Sequence, residues 1–154
     1  MGGGSVMQIV SGGQSGVDSA ALDVALELGI PTGGWCPRGC KREDGRVPAR
    51  YGLQQTPSRG YAQRTRWNVR DSDGTLLLLL GEAKGGTALT LAEAEKHGKP
   101  LLALDLSAPL DKAAFLAWMH EHGISHLNVA GPRESQQPGV NLKAAQALRA
   151  LLSA

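Results

Sequence analysis

Five consecutive leucines, Leu76–Leu80, constrain this chain more than any other stretch. The run is far short of the ~20 apolar residues that a membrane-crossing helix needs. Flanked by Thr75 and Gly81, it reads as a strand covered on both faces, as in a parallel sheet held between two helical layers.

The rest of the chain repeats the theme. Val6–Val10, residues 32–36, Leu101–Leu106 and Ser125–Ala130 read as further short strands. Helical patterns separate them. From Gly16 to Leu28 the apolar positions Val17, Ala20, Ala21, Val24 and Leu28 keep to one helical face, and Gly29 with Pro31 ends the pattern. Further helices are expected at Tyr61–Arg70, Thr87–His97, Leu110–His122 and Val140–Leu152. The Leu110–His122 helix would bury Phe115, Leu116 and Met119. Residues 37–59 read as a long irregular connection. Alternating strands and helices mean βαβ units, so the expected class is α/β, a doubly wound, mostly parallel sheet in a single domain. Residues 1–5 read as a flexible leader, and 6–154 as one ligand-binding domain.

Three glycine-bearing turns follow strands and precede helices: Ser11–Gly16, Gly81–Thr87 and Gly131–Ser135. In a parallel sheet they share the carboxyl edge, where such folds bind ligands. Glycine permits close backbone approach, and helix N-termini offer unpaired N–H groups. The candidate ligand residues are therefore Gly12, Gly13, Gln14, Ser15, Gly16, Gly85, Gly86, Thr87, Arg133, Glu134 and Ser135. The turns match neither G-x-G-x-x-G nor the P-loop, so hydride transfer and ATP hydrolysis lose sequence support. Arg64 and Asn68 share a stripe of the Tyr61–Arg70 helix beside Trp67. That face suits a polar heterocycle, or else Trp67 is core and the others are solvated.

Net charge is +2, but residues 38–70 hold nine basic side chains against two acidic ones. Arginine's forked donors suit oxyanions. Aromatic residues are only 4% of the chain and no stacking motif appears, so nucleic acid is not an expected partner. No signal-peptide pattern or membrane-length run is present, and a cytoplasmic location is expected. Cys36 and Cys40 lack metal-ligand or redox spacing. The four histidines fall at or beyond helix ends, without a legible partner. No catalytic residue and no metal site is assigned.

Ser11–Asp18, Gly33–Pro37, Tyr61–Asp73, Gly85–Thr87 and Leu127–Ser135 resemble, in order and over nearly the whole chain, the molybdenum cofactor carrier proteins. That family is similar to a Rossmann-like superfamily that includes the lysine-decarboxylase-like phosphoribohydrolases. The resemblance implies a homo-oligomer, dimer or tetramer, that binds molybdenum cofactor (molybdopterin) with its phosphate on the glycine turns. The alternative is a hydrolase of nucleotide or nucleoside-phosphate derivatives, with Glu134 or Asp105 as its carboxylate. The phosphoribohydrolases place a catalytic Glu three residues after the Thr of their glycine turn. Here that position is Thr90, and Glu93 lies further on.

Overall fold

The computed structural model describes residues 6–81 and 86–154. The leader therefore lies outside the described residues, as does Gly85. Five strands form the central sheet: β1 (Gln8–Val10), β2 (Thr32–Gly33), β3 (Gly74–Leu79), β4 (Leu101–Asp105) and β5 (His126–Ala130). Among the described residues the α-helices are α1 (Val17–Glu27), α2 (Tyr61–Arg70), α3 (Gly86–Lys96), α4 (Lys112–Glu121) and α5 (Val140–Leu152). All strand pairs in the sheet are parallel, in the order β2-β1-β5-β3-β4. The molecule is thus an α/β, Rossmann-like fold.

The leucine run works as its composition dictates. Leu76, Leu77 and Leu78 are fully buried. Side chains alternate across a strand, so Leu76 and Leu78 enter one layer and Leu77 the other. On the first side, Leu76 and Leu78 cluster with Ile9, Leu127 and Val129. Over them lie Val17 and Val24 of α1, Phe115 and Met119 of α4, and Leu148 and Leu151 of α5. Each such fully buried side chain contributes about 1.5–3 kcal/mol. On the second side α2 packs against α3. A smaller cluster of Leu22, Cys36, Val47 and Tyr51 sits behind α1.

Three expectations change. Leu116 is 42% exposed, because Phe115 and Met119 already fill the one stripe of α4 that meets the core. Residues 32–36 do not form one strand. Thr32–Gly33 joins the sheet, whereas Trp35–Cys36 pairs with Gln54–Gln55. The break follows from Asn68, whose amide takes the N–H of Trp35 at 2.8 Å and gives a hydrogen bond to its carbonyl at 3.0 Å. Residues 37–59 are not wholly irregular. They hold a small hairpin, Lys41–Arg42 with Gly45–Arg46, and a single 3₁₀ turn at Ala49–Tyr51.

Candidate functional site

The first and third glycine turns touch. Val17 N–H donates to the Pro132 carbonyl at 3.2 Å, and Glu134 N–H donates to Ser15 Oγ at 3.2 Å. The Asn141 amide closes the contact by donating to the Gly16 carbonyl at 3.0 Å. The approach leaves no room for a side chain. A Cβ on Gly16 would stand 2.3 Å from the Pro132 oxygen, and one on Gly131 would stand 2.4 Å from the Leu78 oxygen. The two turns therefore form one rim at the carboxyl ends of β1 and β5. On the other side of that edge Gly86 opens α3, and Thr87 is buried in its first turn.

Between them lies a cleft of about 350 Å³, lined by Gln14, Asp18, Tyr61, Arg64, Thr87 and Arg133 among others. Its chemistry centres on two cations. The Arg64 guanidinium lies 5.7 Å from the centre of the Tyr61 ring and that of Arg133 lies 5.4 Å from it. Ring faces attract cations, so one tyrosine holds two arginines that would otherwise repel each other. Arg64 is anchored from behind by Asp18, at 3.4 Å. The same carboxylate oxygen accepts from the Gln14 N–H at 3.2 Å. Burial pushes the Asp18 carboxyl above its usual range, against the pull of Arg64 and of the Gln14 N–H. Burial pulls Arg64 down, against the pull of Asp18.

Two buried polar atoms, Gln14 Oε1 and Arg64 Nε, have no hydrogen-bond partner among the described residues. Such an atom costs about 1–3 kcal/mol when left unpaired. Both belong to residues that line the cleft. Gly12 lies directly under Arg64, and a Cβ there would meet the Arg64 side chain at 2.4 Å. Gly13 packs against Val47 and Leu53.

Other candidates from the sequence are engaged elsewhere. Asn68 serves the Trp35 backbone. Glu134 accepts from Gly139 N–H at 2.7 Å and Asn141 N–H at 3.0 Å, so it caps α5. The hydroxyls of Ser15 and Ser135 both donate to the Glu43 carboxylate. Asp105 accepts from the N–H and hydroxyl of Ser107. Sequence reasoning missed Asp18, Tyr61 and Glu43. Tyr61 left a signal, since it stands three residues before Arg64 on one helix face. Glu43 left none, because its partners are distant in the chain, whereas Asp18 stands four residues after Gln14, whose N–H it accepts.

The strand order carries one more clue. Placing β5 and α5 ahead of β1 turns β2-β1-β5-β3-β4 into 3-2-1-4-5, the doubly wound order in which ligands bind beside the first strand. The cleft lies at that switch point, between the ends of β5 and β3.

The comparisons agree with this topology. A crystal structure named "Putative molybdenum carrier protein" from Syntrophus aciditrophicus SB is 43% identical to the chain, with a TM-score of 0.91. The match covers 97% of this chain and 96% of that one. No curated protein matches the chain. The model of the circularly permutated YpsA SLOG family matches residues 9–152. A permuted strand order and a match over nearly the full length lead to one assignment: the chain belongs to the circularly permutated YpsA SLOG family.

Proposed function

We propose that this protein binds and carries a phosphate-bearing small molecule, and that the molecule is molybdenum cofactor (molybdopterin). The observation that carries the reading is the pair of guanidiniums, Arg64 and Arg133, on one tyrosine ring in the cleft. Two cations converging beside glycine turns favour a doubly charged oxyanion. The cleft volume falls in the range of about 300–1,000 Å³ usual for small-molecule sites. Gln14 Oε1 supplies an acceptor for a ring N–H. The name of the similar structure from Syntrophus aciditrophicus SB points to the same cargo.

The test is direct. The purified protein is incubated with the cofactor, desalted, and assayed for retained pterin fluorescence. Wild-type protein is expected to retain it, and Arg133→Ala to lose most of it. Equal retention by Arg133→Ala overturns the reading. The carrier is also proposed to be a homo-oligomer, dimer or tetramer. Its support is the sheet edge, where Leu102 and Leu104 of β4 are only half-buried. Sedimentation velocity decides it.

A hydrolytic reading has one observation in its favour. Asp18 is a carboxylate in the cleft, and its burial favours the protonated form that a general acid needs. A panel of nucleoside monophosphates, assayed for released base, separates it from simple carriage.

A further inference from the structure

The tip of the small hairpin lies across the point where the first and third turns meet. Its paired residues, Lys41–Arg42 and Gly45–Arg46, leave Glu43 and Asp44 as a two-residue tip. The Glu43 carboxylate accepts from the hydroxyls of Ser15 and Ser135, and from the Ser135 N–H at 3.1 Å. Ser15 comes from the first turn and Ser135 from the third. Donors from both halves of the rim thus converge on one carboxylate. The positive charge of Arg133 is felt at the same place. Hydroxyls, a main-chain amide and a nearby guanidinium are what a protein offers to an oxyanion.

This seat favours negative charge. Burial pushes the Glu43 carboxyl up, but the hydrogen bonds from Ser135 and Ser15 and the field of Arg133 bring it below its ordinary value. The rest of the hairpin is held through Lys41 and Arg42. Gln14 Nε2 donates to the Lys41 carbonyl at 3.0 Å, and Arg42 reaches the Gly13 carbonyl at 3.4 Å. Arg42 also pairs with Asp44 within the hairpin and hydrogen-bonds the Tyr51 side chain. A two-stranded hairpin of this size has little stability of its own.

We propose that the seat of Glu43 is a second oxyanion site, filled by the protein's own carboxylate until a ligand displaces the hairpin. The proposal deepens the carrier reading and rests on it only in taking the ligand to be anionic. Two residues join the seat to the cleft. Arg133 lines the cleft and acts on Glu43, and Gln14 lines the cleft and holds the hairpin. A ligand that reaches both places carries two oxyanion groups, as a diphosphate does, or a phosphate monoester with a second anionic group beside it. Binding then exchanges one set of charge-assisted hydrogen bonds for another. Glu43 acts as a competitor that sets the affinity and keeps weaker anions out.

Calorimetric titration of the full chain with inorganic pyrophosphate tests the exchange. Glu43→Ala is expected to bind pyrophosphate roughly tenfold more tightly than wild type, the scale of one lost charge-assisted competitor. Adding Ser135→Ala to that variant is expected to reverse the gain. If Glu43→Ala binds no tighter, or does not bind at all, the proposal is overturned. The carrier reading would survive either result, since it stands on cofactor retention and Arg133→Ala. Wild-type protein gives an independent readout. Saturating pyrophosphate is expected to speed amide hydrogen exchange across residues 41–46, and unchanged or slower exchange there overturns the proposal even where the variant folds poorly.

Discussion

Gly16→Ala probes the contact on which the whole site rests. Two costs add at this position. The backbone stands at φ 79°, ψ −127°, a conformation that costs a side-chain-bearing residue about 1–3 kcal/mol. The new Cβ would also stand 2.3 Å from the Pro132 oxygen and 2.8 Å from Arg133 C and Glu134 N. All three are main-chain atoms, so no flexible side chain can yield, and overpacking adds about 1–3 kcal/mol. The expected loss is about 4 kcal/mol. In a domain of this size each kcal/mol moves Tm by about 2–4 °C, so the melt should fall by roughly 8–16 °C. Gly29→Ala is the control. Gly29 has φ 75°, but a Cβ there meets nothing within 4 Å, so only the strain remains, about 1 kcal/mol. The assay is urea unfolding followed by tryptophan fluorescence, with a circular dichroism melt alongside. Equal losses in the two variants would refute the close contact between the first and third turns, and the shared rim with it.

Glu134→Ala removes the acceptor for two N–H groups at the start of α5. It is expected to cost about 1–2 kcal/mol in urea unfolding while cofactor retention stays at the wild-type level. Retention that collapses with stability intact would instead put Glu134 on the ligand. Phe115→Ala and Leu116→Ala are neighbours with opposite fates. The first empties a core position and is expected to cost about 3–5 kcal/mol. The second trims an exposed side chain and should stay within about 0.5 kcal/mol, so similar unfolding midpoints would contradict the orientation of α4. Tyr51 predicts an alkaline limb. Burial, and then the Asp23 carboxylate, push its phenol up to about 12. An unfolded tyrosine ionises near pH ~10, so the unfolded chain loses this proton first. The stability Tyr51 contributes is therefore complete below pH ~10 and is lost as pH climbs towards about 12. Urea midpoints across that window should decline less steeply in Tyr51→Phe, and an unchanged slope removes Tyr51 as the cause.

What the sequence made legible was whatever a local pattern determines. Leu76–Leu80 has no polar face, so its burial on both sides follows from composition. The Val140–Leu152 helix and the Tyr61–Arg70 helix occur at the expected bounds. The apolar stripe of α1 likewise fixed which face meets the sheet. Side-chain polar partners were not legible, because they are chosen across the chain. Asn68 pairs with a backbone 33 residues upstream, and Ser15 and Ser135 reach Glu43 from 28 and 92 residues away. Each looked available on its own turn or helix, yet each is engaged. The cleft keeps the residues whose polar groups have few partners within the chain: Gln14, Arg64 and Arg133.

The strand order explains why the first turn matches no nucleotide-binding motif. A doubly wound sheet places its phosphate-binding turn after the first strand of the order 3-2-1-4-5. In this chain the strand in that place is β5, the last in sequence. The turn at the switch point is therefore Gly131–Ser135, and it carries Arg133 where a nucleotide fold would carry repeated glycines. The need for close approach has not vanished. It has passed across the rim to Gly16, whose missing Cβ makes room for the Pro132 carbonyl. Charge has moved as well. A fold that holds phosphate mainly with main-chain amides needs no arginine, whereas here two guanidiniums stand against one tyrosine ring in the cleft. Recognition by side chains is more easily tuned than recognition by amides, and on the proposal above the Glu43 carboxylate, which accepts from the Ser135 N–H at 3.1 Å, is one such means of tuning.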